Sequence, residues 1–491
     1  METQQDTRMI EKHLYREVAG KIATLIDSGT YRPGDRVPSI RELSRQEQVS
    51  INTVKVAYGF LEDRRVIEAR PQSGYYVSAR LPEIPREPEI NTNDISPLNI
   101  SSSNLVVRIM RDVLDPAKVQ FGAAIPDPSL IPWEKLSRIL ASEARRHKSE
   151  STLYAMPPGS KRLRHQVAKW MIKAGCMLNG EEIVITSGAS EAVFLALRSI
   201  CKPGDTVAVG APIYFNFVQM LELLDLRVIE IPNSPIDGLH LESLRHALQH
   251  NRIACCLVVS NYDNPLGSSL SNERKEELAK LLANAGVPLI EDDINGDLSH
   301  GDERPTVAKA WDRTGNVLLC SSFSKTLAPG YRVGWISPGR YMDKVLHQKI
   351  VTNIASATPT QLAVAEFLEN GGYAHHLRSI SKVYAAKVAR MAEAIGTYFP
   401  TGTRVTRPAG GFTLWVELAE NIDTVALYAK AEKMKITIAP GSLFSTSGKF
   451  ANCLRLNSAF WSEDTRWAVE ALGRMCHEYT DWTQQAVSAG K

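Results

Sequence analysis

Lys325 stands in Ser321-Ser322-Phe323-Ser324-Lys325-Thr326, directly after the apolar run Val317-Leu318-Leu319-Cys320, and Arg332 follows seven residues later. A lysine amine can attack an aldehyde carbon and form an imine. Hydroxyls and an arginine one short loop away can hold a phosphate dianion through charge-assisted hydrogen bonds. Lys325 with Ser322, Ser324 and Arg332 therefore has the parts needed to carry a phosphate-bearing aldehyde.

Other polar residues have spacings that suit the same task. Gly188-Ala189-Ser190 opens a helix straight after the strand-like Glu182-Ile183-Val184-Ile185-Thr186. Free amides and the helix dipole favour an anion there, although an ordinary capped helix reads the same way. Asp292 ends the apolar stretch Val287-Pro288-Leu289-Ile290. Its carboxylate could keep a pyridine nitrogen protonated, or could simply be a surface acid. Asn264, in Asn264-Pro265-Leu266-Gly267, could donate to a ring oxygen or merely mark a turn. Tyr214 could stack on an aromatic ring or belong to the core. Arg455 lies in Cys453-Leu454-Arg455-Leu456, where an arginine among apolar residues needs an anion: a ligand carboxylate or an intrachain one.

The elements that must position these residues alternate. Strand-like runs at 182–186, 206–209, 254–259, 287–290 and 317–320 are separated by helix-like segments. Such alternation predicts a mainly parallel sheet with helices on both faces. Polar residues just past the strand ends then share one crevice, where ligands bind. The motifs above fall repeatedly at those ends.

Residues 1–80 follow a different plan. Leu14, Val18, Ile22 and Leu25 make a helical stripe closed by Ser28-Gly29. Ser39 is placed to cap a short helix, a turn falls near Val49-Ser50, and a further helix shows Val54, Tyr58 and Leu61 on one face. Val66–Ala69 and Tyr75–Val77 read as short strands joined across Gly74. Helix, turn, helix and hairpin make a winged helix-turn-helix. Residues 81–104, with Pro82, Pro85, Pro88 and Pro97 among polar residues, read as a semi-stiff linker, and residues 105–491 as the body.

Composition narrows the function classes. A chain of 491 residues exceeds one ordinary core. Its net charge of +3 is too small for bulk attraction to nucleic acid, and residues 1–80 carry only thirteen Lys and Arg against eleven Asp and Glu, so DNA binding needs a local patch. Seven cysteines, several in apolar runs and without zinc-site pairing, suggest free thiols, a reducing cytoplasmic compartment and no metal. No signal peptide or apolar span of roughly 20 residues is evident.

Two resemblances complete the reading. Pro38-Ser39-Ile40-Arg41-Glu42-Leu43, Ser50-Ile51-Asn52-Thr53-Val54-Lys55 and Ser73-Gly74-Tyr75-Tyr76-Val77 resemble the GntR family of winged-helix regulators. That implies Asn52, Thr53 and Lys55 near bases and phosphates of double-stranded DNA, Arg41 on the backbone, and Ser73 and Gly74 in the minor groove. Many GntR members have arginine where Ile51 stands. The motifs of the body, Ser322-Phe323-Ser324-Lys325 with Arg332 above all, resemble class I, fold-type-I aminotransferases. That family implies an α/β fold with a smaller C-terminal α+β subdomain and pyridoxal 5′-phosphate as cofactor. Lys325 would form the imine, Asp292 meet the pyridine nitrogen, Asn264 the ring hydroxyl, and Tyr214 the ring face. Ala189, Ser190, Ser322 and Arg332 would hold the phosphate, and Arg455 a substrate carboxylate. Tyr154 would reach the phosphate of a neighbouring subunit, which implies a homodimer. The family often has a tyrosine two or three residues beyond the aspartate. Ile294 and Asn295 stand there, and Asn295 can donate a hydrogen bond but cannot ionise.

A GntR-like head on an aminotransferase-like body resembles the MocR/GabR subfamily of transcription regulators, whose body would sense an amino acid or amine. A working aminotransferase with an appended head, and a body serving only as a dimerisation scaffold, are the alternatives.

Overall fold

A computed structural model describes residues 3–27, 30–32, 34–63, 66–70, 73–78, 86–88, 104–112 and 115–489. They divide into two compact units, residues 1–84 and 85–491. Most of the proline-rich stretch, and the Ser28-Gly29 helix end, lie outside the described residues.

In the first unit, helices Thr3–Asp27, Ile40–Gln46 and Ile51–Asp63 pack around Val18, Ile22, Leu43, Val54, Tyr58 and Leu61. The stripe on the first helix drifts: Leu25 is exposed and Ile26 is buried in its place. Steps of four from Val18 through Ile22 reach Ile26, so the buried face follows the 3.6-residue period past Leu25. Ser39 caps the second helix as its composition predicts. Its hydroxyl accepts from the Glu42 N–H and the Glu42 carboxylate accepts from the Ser39 N–H, a reciprocal cap of about 1 kcal/mol. Strands Ile67–Arg70 and Gly74–Val77 form the antiparallel wing.

The second unit is built on an eight-stranded sheet in the order Val184–Thr186, Gly334–Ser337, Val317–Ser322, Leu289–Asp292, Ile253–Val258, Thr206–Ala211, Arg227–Ser234 and Gly238–Leu239. The central run from Val317–Ser322 to Arg227–Ser234 is parallel, while Gly334–Ser337 and the edge strand Gly238–Leu239 run antiparallel to their neighbours. Burial on both faces explains the near-continuous apolar strands. One face packs on Val193, Ala196 and Leu197 of helix Ala189–Ile200, the other on Leu244, Leu278 and Leu282.

A smaller four-stranded antiparallel sheet, in the order Arg404–Val405, Thr413–Glu417, Cys453–Asn457 and Ala439–Pro440, forms the C-terminal subdomain with helices Gly372–Tyr398, Thr424–Lys433 and Arg466–Ala489. Val119–Gln120 pairs in parallel with Ile436–Thr437, so the segment leading to Gly122–Ile125 is tied to this subdomain. Among the described residues no helix is long and apolar enough to cross a membrane.

Candidate functional site

The C-terminal ends of the parallel strands open onto a cavity of about 220 Å³. Ala189, Ser190, Tyr214, Asn264, Asp292, Asn295, Ser322, Lys325 and Arg332 all line it. Residues far apart in the chain meet there because each follows a strand of one sheet. Ser324, Ala124, Ile125, Phe412 and Thr413 are also part of the wall.

Lys325 enters beside the end of strand Val317–Ser322, and its Nζ donates to the Ala124 carbonyl. Burial, with Arg455 and Arg332 adding positive potential, lowers its ammonium to about 8. The amine is therefore partly neutral, and nucleophilic, at mildly alkaline pH. Asp292 ends strand Leu289–Asp292 and is buried. Burial, then the adjacent Asp293 charge, raises its carboxyl to about 7, with Lys325 acting in the opposite sense. Such a carboxyl favours a cationic or hydrogen-bond-donating partner. Asp293 faces away, into a buried cluster where Arg304 bridges it to Asp297 and Asn261 donates to it at 2.8 Å.

The anion cradle forms where helix Ala189–Ile200 begins. Gly188 caps it at φ 91°, and a Cβ there would lie 2.4 Å from Arg332 Nη2, so glycine is required. Arg332 itself is in the left-handed region at φ 53°. Its guanidinium donates to the Ser187 carbonyl at 2.9 Å and to Ser324 Oγ at 3.3 Å. Among the described residues it has no carboxylate partner, so its charge is open to an added anion.

Arg455 is fully buried on strand Cys453–Asn457. Its Nη1 donates to Asn264 Oδ1 at 3.0 Å, its Nη2 to the Gly122 carbonyl, and its Nε has no acceptor. The Phe215 and Phe444 rings lie 5.6 and 5.2 Å from its guanidinium carbon. No Asp or Glu among the described residues pairs with it, which removes the intrachain-carboxylate reading. Burial without a counter-ion lowers its pKa from 12.5 to about 10. The contact with Arg455 occupies the Asn264 oxygen and leaves the amide N–H groups to donate.

Tyr154 lies outside this cavity and is 75% exposed, with Leu153 and Met156 also exposed. The backbone beneath is fixed, since Thr358 Oγ1 bonds the Leu153 carbonyl and the Ala155 N–H. Asn295 lines the cavity but spends one amide hydrogen on the Tyr262 carbonyl at 2.8 Å.

In the first unit Arg41, Asn52 and Lys55 are exposed, Lys55 on helix Ile51–Asp63. Thr53 is not: it is buried, and its hydroxyl meets Ser50 Oγ at 2.8 Å. It shares the buried face of Val54, Ala57 and Tyr58, so helical phase turns it inward. Ser73 Oγ meets Tyr76 Oη at 2.6 Å, and Gly74 has φ 108° in the wing turn.

The motif reading missed Ala124, Ile125, Phe412 and Thr413. Gly410-Gly411 was a visible turn signal before Phe412. Nothing local marked Ala124 or Ile125, which arrive through the pairing of Val119–Gln120 with Ile436–Thr437.

Comparison with known proteins agrees with this anatomy. Residues 131–472 match the class I and II aminotransferase family and residues 14–77 the bacterial regulatory proteins of the gntR family. The HTH-type transcriptional regulators YjiR and YdcR of Escherichia coli K12 are 39% and 36% identical to the chain over 465 residues, 94% of this chain and 98% and 99% of theirs. The multiple substrate aminotransferase of Thermococcus profundus superposes with a TM-score of 0.72 at 27% identity, over 78% of this chain and 96% of that one. LysN, the α-aminoadipate aminotransferase of Thermus thermophilus, complexed with N-(5′-phosphopyridoxyl)-L-leucine, does so at 0.72 and 26%, over 78% and 97%. These matches imply pyridoxal phosphate as cofactor. The donor set fits it: an amine of lowered pKa, a buried carboxyl favouring a cation, an aromatic ring and an unpaired arginine at a helix start.

Proposed function

We propose, for a chain that belongs to the MocR/GabR-like transcription regulators with their gntR-type DNA-binding head and class I and II aminotransferase body, that the body senses an amino acid and thereby changes how the heads hold DNA. Bound pyridoxal phosphate supplies an aldehyde carbon at which the amine of Lys325 can be exchanged for that of a ligand.

Each residue has a part in this. Lys325 would hold the cofactor's aldehyde carbon, and its ammonium, lowered to about 8 by burial, leaves the amine partly neutral near that pH. Asp292 would accept a hydrogen bond from the ring nitrogen, where a positive partner would favour its charged form. Asn264 would donate to the ring hydroxyl, with Asn295 offering its second amide hydrogen. Tyr214 would pack on the ring, and Ala189, Ser190, Ser322 and Arg332 would hold the phosphate. Arg455 takes the ligand carboxylate, which selects amino acids over simple amines. Tyr154 completes the phosphate site of a second subunit in a cytoplasmic homodimer; its exposure on an anchored backbone supports that role. In the head, Arg41, Asn52 and Lys55 face DNA, Thr53 steadies the helix that carries Asn52 and Lys55, and Ser73 and Gly74 shape the wing.

The observation that carries this reading is Arg455, buried beside Asn264 with an orphaned Nε and no carboxylate partner among the described residues. Visible absorbance of the cofactor-loaded protein, followed while amino acids are added without any keto acid, tests it. A new stable band, distinct from that of the protein before amino acid is added, is the expected result. Bleaching of the visible band would instead mean that the amino group is transferred, and a working aminotransferase would then replace the sensor.

A further inference from the structure

The wing hairpin has a flanking segment, bridged to its second strand at Arg36, and this segment, which motif reading left out, carries its free charge. Residues 34–37 lie along Gly74–Val77: the Gly34 N–H donates to the Val77 carbonyl at 3.0 Å, the Val77 N–H to the Asp35 carbonyl at 2.8 Å, and the Val37 N–H to the Tyr75 carbonyl at 3.0 Å. Arg36 sits in the middle as a bridge partner of Tyr76. A Cβ on Gly74 would stand 3.3 Å from both its Nε and Nη2, so the guanidinium lies against the wing turn.

Charge bookkeeping around the turn singles out this residue. Arg70 is neutralised within the wing, both Nε and Nη2 donating to Glu68 Oε1 at 3.0 and 2.8 Å, and it stacks over Tyr76 at 4.4 Å. Ser73 is engaged with Tyr76. The Asp35 carboxylate turns back to the Arg32 N–H at 2.7 Å. Arg36 is exposed, and among the described residues its guanidinium has no ion pair or hydrogen-bond partner. An arginine costs side-chain entropy to immobilise, and its fork of donors matches a phosphate.

We infer that Arg36 is the wing's contact to a DNA phosphate, a role that rests on the head binding duplex DNA. Ser73 and Gly74 then serve Arg36: the glycine leaves room for the guanidinium, and the Ser73–Tyr76 bond fixes the turn beside it. A phosphate contact positions the head without reading sequence.

The test uses the full chain and two duplexes, one selected by the protein from a random pool and the unselected pool itself, titrated across a salt series. Arg36→Ala should weaken both duplexes by the same factor, roughly ten-fold. It should also make the plot of log affinity against log salt shallower by about one. Arg36→Lys should keep the wild-type slope, and Arg70→Ala should leave it unchanged. Thermal unfolding of Arg36→Ala should match wild type, because the strand pairing uses main-chain atoms. An unchanged slope in Arg36→Ala, or a loss confined to the selected duplex, would overturn the assignment. If wild type bound neither duplex, the DNA-binding reading itself would fall, and this assignment with it.

Discussion

Replacing Arg455 by methionine separates a carboxylate receptor from a structural arginine. In the free protein the buried guanidinium is pulled from 12.5 to about 10, a charging cost of about 3 kcal/mol. Methionine removes that cost but leaves Asn264 Oδ1 and the Gly122 carbonyl each short of one donor, at about 1 kcal/mol or more apiece. The terms nearly offset, so Arg455→Met should change the stability of the free protein by less than about 2 kcal/mol. An arginine already paired with a buried carboxylate would cost about 3–5 kcal/mol on removal. The ligand side goes the other way. A carboxylate held by charge-assisted bonds contributes about 1.5–3 kcal/mol, so an amino acid should bind roughly ten- to hundred-fold more weakly to the variant. The decarboxylated amine of the same side chain should bind both proteins equally. Urea unfolding supplies the first quantity and titration of visible absorbance the second. A loss of about 3–5 kcal/mol in stability, or equal loss for amine and amino acid, would refute the reasoning.

Other expectations follow from the same geometry. Gly188→Ala places a Cβ where Arg332 Nη2 stands, at a φ of 91° that alanine tolerates poorly; cofactor affinity, read by the visible band on dialysis, should fall about ten-fold or more while the fold survives. Asp292 has a folded pKa of about 7 against 3.8 unfolded, so the native state binds more protons between those values. Cofactor-free protein should lose stability as pH rises from about 4 to 7, by up to about 4 kcal/mol from this residue; urea unfolding across that window should show Asp292→Asn flattening the slope. Lys325, lowered to about 8, should capture cofactor faster as pH rises toward 8 and then level off, as stopped-flow absorbance would show. In the head, Lys55→Ala should make the salt dependence of DNA affinity shallower by about one, and Thr53→Val should leave that slope alone while lowering thermal stability by about 1 kcal/mol.

Much of the site was legible because its chemistry is punctuated by the fold. Asp292, Asn264 and Lys325 each follow an apolar strand, and in a parallel sheet those ends converge whatever the strand order. Ser39 announced a helix cap, which the structure completes with Glu42. What escaped depends on pairings far apart in sequence. Arg304 reaches both Asp293 and Asp297 in a buried cluster that no local period marks. Ala124 enters the cavity wall because Val119–Gln120 pairs with Ile436–Thr437, more than three hundred residues away. Motif matching also misplaced Thr53, whose position on the Val54–Tyr58 face was already present in the helical period. Arg36 went unnoticed because a single bridged residue beside the wing leaves no alternating pattern.

Coupling between the body and the heads is tested most directly by DNA affinity of the cofactor-loaded full chain, measured with and without a saturating amino acid that shifts its visible band. Affinity should change by some factor, the same factor should appear in amino acid affinity when DNA is present, and Lys325→Ala should abolish both. Identical DNA affinity in the cofactor-free, cofactor-loaded and ligand-saturated protein would contradict sensing by the body.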